Sequence, residues 1–116
     1  MDPGKGSAPS APPDAVVLAV ELQDFDGYWL LNEDLTKVLN SPLSQLTSSR
    51  PSDVKDTKMW ATALVVAYLR TRMASRKEEW EMVVQKAIDW LKETCPDPEA
   101  LIGKAKKALE ELVPKA

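Results

Sequence analysis

Histidine is absent from the 116 residues of this chain, and cysteine occurs once, at Cys95. Without histidine, the serine–histidine and cysteine–histidine pairs of nucleophilic enzymes are excluded. A zinc site would need several thiolates or carboxylates, and the thiolates are missing. A single cysteine also excludes an internal disulfide, which fits a reducing compartment. These absences predict a protein that holds no metal or cofactor and is not an enzyme.

The chain also lacks an excess of positive charge and a long hydrophobic run. Its 15 Lys and Arg against 18 Asp and Glu give a net charge of −3, whereas a nucleic-acid-binding protein normally carries a basic patch or stripe. The longest apolar run, residues 61–69, is far shorter than the ~20 residues that span a bilayer. The apolar run that starts at Val16 lacks the basic flank of a signal peptide. We therefore expect a cytoplasmic protein that binds neither nucleic acid nor membranes directly.

Proline and glycine are concentrated at the start of the chain. Residues 1–14 hold four of the nine prolines and two of the four glycines. Such a segment buries too little apolar surface to offset the entropy of ordering, so we predict a disordered tail. A Pro-rich ligand at Pro9 and Pro12 is the functional alternative. Residues 15–113 have the length of one domain.

The remaining residues are expected to form a compact all-α bundle of five to six helices. Residues 15–23 are apolar on nearly every side, so periodicity does not separate helix from strand. Their β-branched content favours a strand, but the chain offers no second strand to pair with, and we predict a helix. Helix-capping residues and prolines predict five further helices. Two have predicted bounds, which are residues 33–39, capped by Asn32, and residues 57–72. The other three are predicted from their first residues, which are Ser41-Pro42, the capping box at Ser75, and Asp97-Pro98.

Four tryptophans supply large apolar side chains for the core. Trp60 lies on the broad apolar surface of the central helix, and Trp80 opens an apolar face at helical spacing, so both are expected in the core. We expect Trp29 to pack against the corner that Gly27 makes. Trp90 is offset from that apolar face, which leaves core packing and partner binding both open. The other positions predicted for this face are Val83, Val84, Ala87, Ile88 and Leu91.

The segment 23–29, which reads Gln-Asp-Phe-Asp-Gly-Tyr-Trp, is a marked corner. Asp24 and Asp26 could suggest a metal or acid–base pair, but acids beside a glycine usually form the turn itself, which is our interpretation. Phe25 and Tyr28 flank the turn, and an exposed aromatic near a rigid turn can anchor an interface. Phe25, Tyr28 and Trp90 are therefore the candidate partner-binding residues, with local packing as the alternative.

The order of these aromatic motifs resembles a known family. The residues that carry the resemblance are Asp26-Gly27-Tyr28-Trp29, Leu31-Asn32-Glu33-Asp34-Leu35, Trp60-Ala61-Thr62-Ala63-Leu64, Glu79-Trp80-Glu81 and Lys86-Ala87-Ile88-Asp89-Trp90. The pattern, over about residues 16–95, is similar to the C-terminal helical domain of von Willebrand factor A domain-containing proteins of the 5A type. A related domain ends the vault poly(ADP-ribose) polymerase.

The resemblance implies a role in protein binding. In the vault polymerase the C-terminal region binds the major vault protein, so the resemblance implies a helical module that docks onto this protein in the vault ribonucleoprotein particle. A structural or dimerisation domain of a larger von Willebrand factor A domain-containing protein is the alternative. The chain has no ADP-ribosyltransferase domain and no Asp-x-Ser-x-Ser metal motif, so no enzyme activity is implied. We expect a monomer or a weak dimer.

Overall fold

The computed structural model describes residues 15–39 and 41–112, and for Leu112 only the backbone. Helices are the regular structure of these residues, which confirms the predicted all-α bundle. The predicted disordered tail, residues 1–14, lies outside the described residues. The elements are α1 (Ala15–Leu22), α2 (Glu33–Leu39), α3 (Leu43–Ser48), α4 (Thr57–Arg72), a 3-10 turn (Ala74–Arg76), α5 (Lys77–Thr94) and α6 (Pro98–Leu112).

Helix α4 lies at the centre of the bundle. Ten consecutive residues, from Trp60 to Leu69, are buried. The helix is covered on several sides because α2, α5 and α6 all pack against it. Such all-round burial is what the wide apolar surface of its sequence predicts. The predicted bounds of this helix, residues 57–72, are confirmed.

Three side chains cap helix N-termini by accepting backbone N–H groups that have no partner within the helix. Asn32 Oδ1 accepts the Leu35 N–H of α2 at 3.2 Å. Asp56 Oδ1 accepts the Lys58 N–H of α4 at 2.9 Å, and Asp97 Oδ1 accepts the Ala100 N–H of α6 at 3.2 Å. The predicted caps at Asn32 and Asp97 are confirmed.

Two other predicted caps are wrong. Pro42, in an extended conformation, is itself the N-cap of α3, and the buried hydroxyl of Ser41 donates back to the Leu39 carbonyl at 3.5 Å. Ser75 lies inside the 3-10 turn, and α5 begins two residues later without a side-chain cap. The Met73 carbonyl fixes this turn because it accepts both the Arg76 N–H and the indole N–H of Trp80.

Three of the four tryptophans are buried and hydrogen-bonded. Trp29, Trp60 and Trp80 expose 1%, 1% and 5% of their surface. Their indole N–H groups donate to Ala19 O at 2.9 Å, Ser49 Oγ at 3.0 Å and Met73 O at 2.7 Å. Each ring therefore adds apolar contact to the core without leaving a buried donor unpaired. The predicted core positions of Trp60 and Trp80 are confirmed, and Trp29 is buried as well.

The apolar face predicted for α5 is the face that packs inward. Trp80, Val84 and Leu91 are buried together with Ala87 and Ile88, and Val83 is partly buried against the core. Residues 25, 58, 86 and 90 remain at or near the surface beside this helix. The exposed part of the corner predicted at residues 23–29 therefore lies on the outer side of α5.

Candidate interaction surface

The corner is closed by a turn that only glycine adopts without strain. Gly27 is buried with a φ of 117°, and its N–H donates to Asp24 O at 2.9 Å. The Asp24 carboxylate accepts the Asp26 N–H at 3.0 Å, and the Asp24 N–H donates to Tyr28 O at 2.8 Å. The Asp24 carboxylate thus contributes to the turn, as the sequence interpretation holds for an acid beside a glycine.

The same corner is pressed against the backbone of α5. A Cβ atom on Gly27 would lie 2.8 Å from the Lys86 carbonyl oxygen, closer than such atoms approach in proteins. The side-chain amide of Gln23 donates to Gly27 O at 3.0 Å and to Val83 O at 2.9 Å. Gln23 therefore ties the turn to α5, as its spacing of four residues from Gly27 and six from Trp29 suits a turn-forming residue.

Trp29 fixes the far end of the corner to α1 and α4. Its indole N–H reaches Ala19 O, and its backbone N–H donates to Thr62 Oγ1 at 3.0 Å. Thr62 is fully buried, and its hydroxyl in turn donates to Lys58 O at 2.6 Å. This chain of hydrogen bonds explains a buried hydroxyl in an otherwise apolar helix. Thr62 is a positioning residue that the sequence analysis missed.

Three aromatic side chains lie on the outside of this rigid corner. Phe25 exposes 88% of its surface, and Lys86 Nζ lies 5.0 Å from its ring centroid. The partly buried rings of Tyr28 and Trp90 pack on each other at 5.1 Å with a 45° tilt, and Lys58 Nζ lies 4.7 Å from the Tyr28 ring. We name these five residues the aromatic ridge.

The ridge brings together residues that are far apart in the sequence. Lys86 and Trp90 are one turn apart on the same face of α5, so Phe25 and Tyr28 lie beside neighbouring turns of that helix. The structure thus places all three candidate residues in one region. Tyr28 and Trp90 pack on each other, so local packing, the alternative to partner binding in the sequence analysis, applies to these two rings. Phe25 is exposed. Lys58 and Lys86 were not singled out by the sequence analysis.

Several hydrogen-bond donors of the ridge have no partner among the described residues. Unlike the other three tryptophans, Trp90 donates its indole N–H to no acceptor among the described residues, and the same holds for the Tyr28 hydroxyl. Within the same part of the chain, neither Lys58 nor Lys86 forms a salt bridge. The ridge therefore combines apolar rings with donors that the described residues do not satisfy.

Other features of the described residues do not coincide with the ridge. An open concavity of about 970 Å³ lies between α2 and α3 and contains no ridge residue. Residues 15–39 and 41–112 contain no group of three or more Cys, Asp and Glu side chains that could hold a metal ion. Over the same ranges, every helix is too short or too polar to cross a membrane.

Two displaced pKa values also lie elsewhere in the domain. A bidentate hydrogen bond from Arg70, at 2.9 and 3.2 Å, lowers the pKa of Glu99 against the opposing effect of partial burial. Burial raises the pKa of Tyr68, and the nearby Arg72 charge opposes that shift. Neither group is part of the ridge.

Comparison with known proteins identifies homologous sequences. No protein-family model matches the chain, and no solved structure matches it. It is 33% identical over 98 residues to von Willebrand factor A domain-containing protein 5A of Mus musculus, an alignment that covers 84% of this chain and 12% of that protein. The Homo sapiens protein of the same name is 37% identical over 70 residues, 60% of this chain and 9% of the relative.

A third relative extends the similarity beyond mammals. A von Willebrand factor A domain-containing protein of Dictyostelium discoideum is 27% identical over 121 residues, which cover 92% of this chain and 6% of the relative. The chain is therefore homologous to a part of von Willebrand factor A domain-containing proteins, as the aromatic motifs predict. It spans 12% or less of the length of these three relatives, which is consistent with one domain of a larger protein. The likeness to the vault polymerase stays a prediction.

Proposed function

We propose that this chain is a non-catalytic protein-interaction module, and that the aromatic ridge is its binding surface. The observation that carries the proposal is the 88% exposure of Phe25 on a corner held to three helices by hydrogen bonds. A partner that covers Phe25 would bury its ring at little cost in backbone entropy, because the corner is already fixed. Exposed aromatics on rigid supports are frequent anchors of protein interfaces.

The second support is the pairing of Tyr28 with Trp90. Tyrosine and tryptophan are the residue types that contribute most to binding energy at interfaces, and each combines a large apolar ring with a polar group. Here the rings pack on each other, while the indole N–H of Trp90 has no acceptor among the described residues. The pair therefore offers a preformed apolar surface with polar groups ready for a partner.

The resemblance to the vault polymerase supplies the candidate partner. That resemblance makes the major vault protein the first partner to test and the cytoplasm the expected location. Homology to von Willebrand factor A domain-containing protein 5A supports a module that acts within a longer chain. On this proposal, the domain attaches its parent protein to a larger assembly through the ridge.

Co-sedimentation with assembled major vault protein particles at low salt tests this proposal. We expect the full chain to pellet with the particles, and the variant Phe25→Ala to bind about tenfold more weakly, as for a typical interface anchor. Val17→Ala, at a 47% exposed apolar position of α1, is the matched control and should bind like the wild type. Failure of the wild-type chain to pellet would reject the vault partner. Equal binding by Phe25→Ala would reject the ridge.

A structural or dimerisation role is the alternative, and a separate surface favours it. Val17 and Val20, one turn apart on α1, expose 47% and 42% of their surface. A small apolar strip of this kind suits self-association of two helices. Light scattering of the full chain and of Val17→Glu tests this alternative. A dimer that Val17→Glu dissociates would support it, and a wild-type monomer at high concentration would reject it.

A further inference from the structure

We propose that the aromatic ridge selects a protein segment that carries spaced carboxylates beside large apolar side chains. This inference rests on the proposed function, since it names the chemistry of the partner that the ridge would bind. It is carried by four donor groups of the ridge, which are the ammonium groups of Lys58 and Lys86, the Tyr28 hydroxyl and the Trp90 indole N–H.

The two lysines of the ridge lie over aromatic rings and are not neutralised by a salt bridge with any described residue. Arg70 is paired with Glu99 at 2.9 Å, and Lys104 lies 3.2 Å from Asp53. Lys58 and Lys86 instead lie over the Tyr28 and Phe25 rings and have no carboxylate within salt-bridge distance among the described residues. These two positive charges are therefore available to a partner. Other lysines, such as Lys107, also have no salt bridge among the described residues, but Lys58 and Lys86 combine an unpaired charge with an adjacent aromatic ring.

The position of each lysine over a ring favours a carboxylate of the partner as the acceptor for its ammonium N–H donors. A ring face attracts an ammonium group through its quadrupole but supplies no lone pair, so the three N–H donors of each lysine are not consumed by the contact. A carboxylate accepts charge-assisted hydrogen bonds, which are shorter and stronger than neutral ones. Because each lysine lies against an aromatic ring, the matching carboxylate would stand next to an apolar side chain that covers that ring.

Acidic residues near the ridge limit what the partner can be. Asp24 and Asp26 flank Phe25, and Asp89 on α5 accepts a hydrogen bond from Gln85 at 3.1 Å. The Asp24 carboxylate is engaged with the backbone of the turn, but all three acids would repel an unbroken acidic run. The ridge thus favours an amphipathic segment in which apolar residues separate the carboxylates, rather than a polyacidic tract.

Selection from a library of short random peptides displayed on phage tests this inference on the full chain. We expect wild type to enrich peptides that are net negative and contain aromatic or large aliphatic residues. A synthetic peptide of the enriched sequence should bind the double variant Lys58→Gln/Lys86→Gln about three- to tenfold more weakly than wild type, and its affinity should fall with added salt. Lys107→Gln, an exposed lysine of α6, is the matched control and should bind like wild type.

The outcomes separate this inference from the proposed function. Phe25-dependent peptides that are neutral or basic would overturn the preference for carboxylates and leave the interaction module standing. Failure to enrich any peptide whose binding depends on Phe25 would overturn both. If the chain forms a dimer that the double variant Lys58→Gln/Lys86→Gln dissociates, the ridge binds a second copy of the same chain. That result would overturn the inference that the ridge binds a segment of a different protein. Circular dichroism of each variant, expected to match wild type, confirms that the comparison is made between folded proteins.

Discussion

Replacement of Gly27 by alanine should destabilise the whole domain, because the corner is the junction of α1, α4 and α5. Gly27 has a φ of 117°, and a Cβ atom there would meet the Lys86 carbonyl oxygen at 2.8 Å. That oxygen belongs to the backbone of a long helix, so it cannot rotate away as a flexible side chain would. Either the turn or α5 must shift, and either shift disturbs the hydrogen bonds of Gln23.

The expected cost has two parts. Holding a residue other than glycine in a sparsely populated backbone region costs about 1–3 kcal/mol. Forcing an extra carbon into a packed site costs about 1–3 kcal/mol. We therefore expect Gly27→Ala to lose about 2–6 kcal/mol of unfolding free energy, a large share of the roughly 5–15 kcal/mol of a small domain. For a domain of this size, the melting temperature should fall by roughly 10–30 °C.

Urea unfolding followed by circular dichroism, together with thermal melting, measures this loss. The matched control is Gly103→Ala, because a Cβ atom at Gly103 in α6 meets nothing within 4 Å. There the same substitution should stabilise the domain by about 0.5–1 kcal/mol through helix propensity. If Gly27→Ala were as stable as wild type, or changed in the same direction as Gly103→Ala, the account of the corner would be refuted.

Three further substitutions test other contacts. Gln23→Leu should cost about 1–3 kcal/mol in urea unfolding, since two carbonyls lose their amide donor. Trp60→Ala should cost about 3–5 kcal/mol, because the ring is buried and bonded to Ser49. Glu99→Gln should cost roughly 0.2–1 kcal/mol at neutral pH, where the exposed pair with Arg70 is intact. Folding lowers the pKa of Glu99. The difference in unfolding free energy between wild type and Glu99→Gln should therefore disappear as the pH falls from the ordinary pKa of a carboxyl group through the lowered pKa of the folded protein. Urea unfolding at a series of pH values measures this.

The helices could be predicted where local residues decide their bounds. Helix α4 follows from an apolar run that ends at basic residues, and α2 and α6 follow from Asn32 and Asp97, whose caps involve only neighbouring backbone. The caps predicted at Ser41 and Ser75 are wrong because other groups determine where those helices begin. At Ser75, the carbonyl of Met73 and the distant indole of Trp80 set the turn, and a local sequence pattern does not contain that contact.

The ridge was predicted only in part, because it is assembled from three segments. Sequence spacing singled out Phe25, Tyr28 and Trp90 but left their exposure open. The lysines that stack on the rings belong to α4 and α5, and their approach depends on how those helices pack on the corner. The hydrogen bond that the Gln23 side-chain amide donates to Val83 O spans 60 positions of the chain. Contacts over such separations follow from tertiary packing rather than from local propensity.

The indole N–H resonances of the four tryptophans provide the most direct test of the ridge as a binding surface. In a ¹⁵N-labelled sample titrated with a peptide selected by wild type, only the Trp90 indole should shift, since the indoles of Trp29, Trp60 and Trp80 are bonded inside the domain. Loss of that shift in Phe25→Ala would confirm that both residues share one surface. A bound peptide that leaves the Trp90 resonance unchanged and shifts the Trp80 indole would contradict the account.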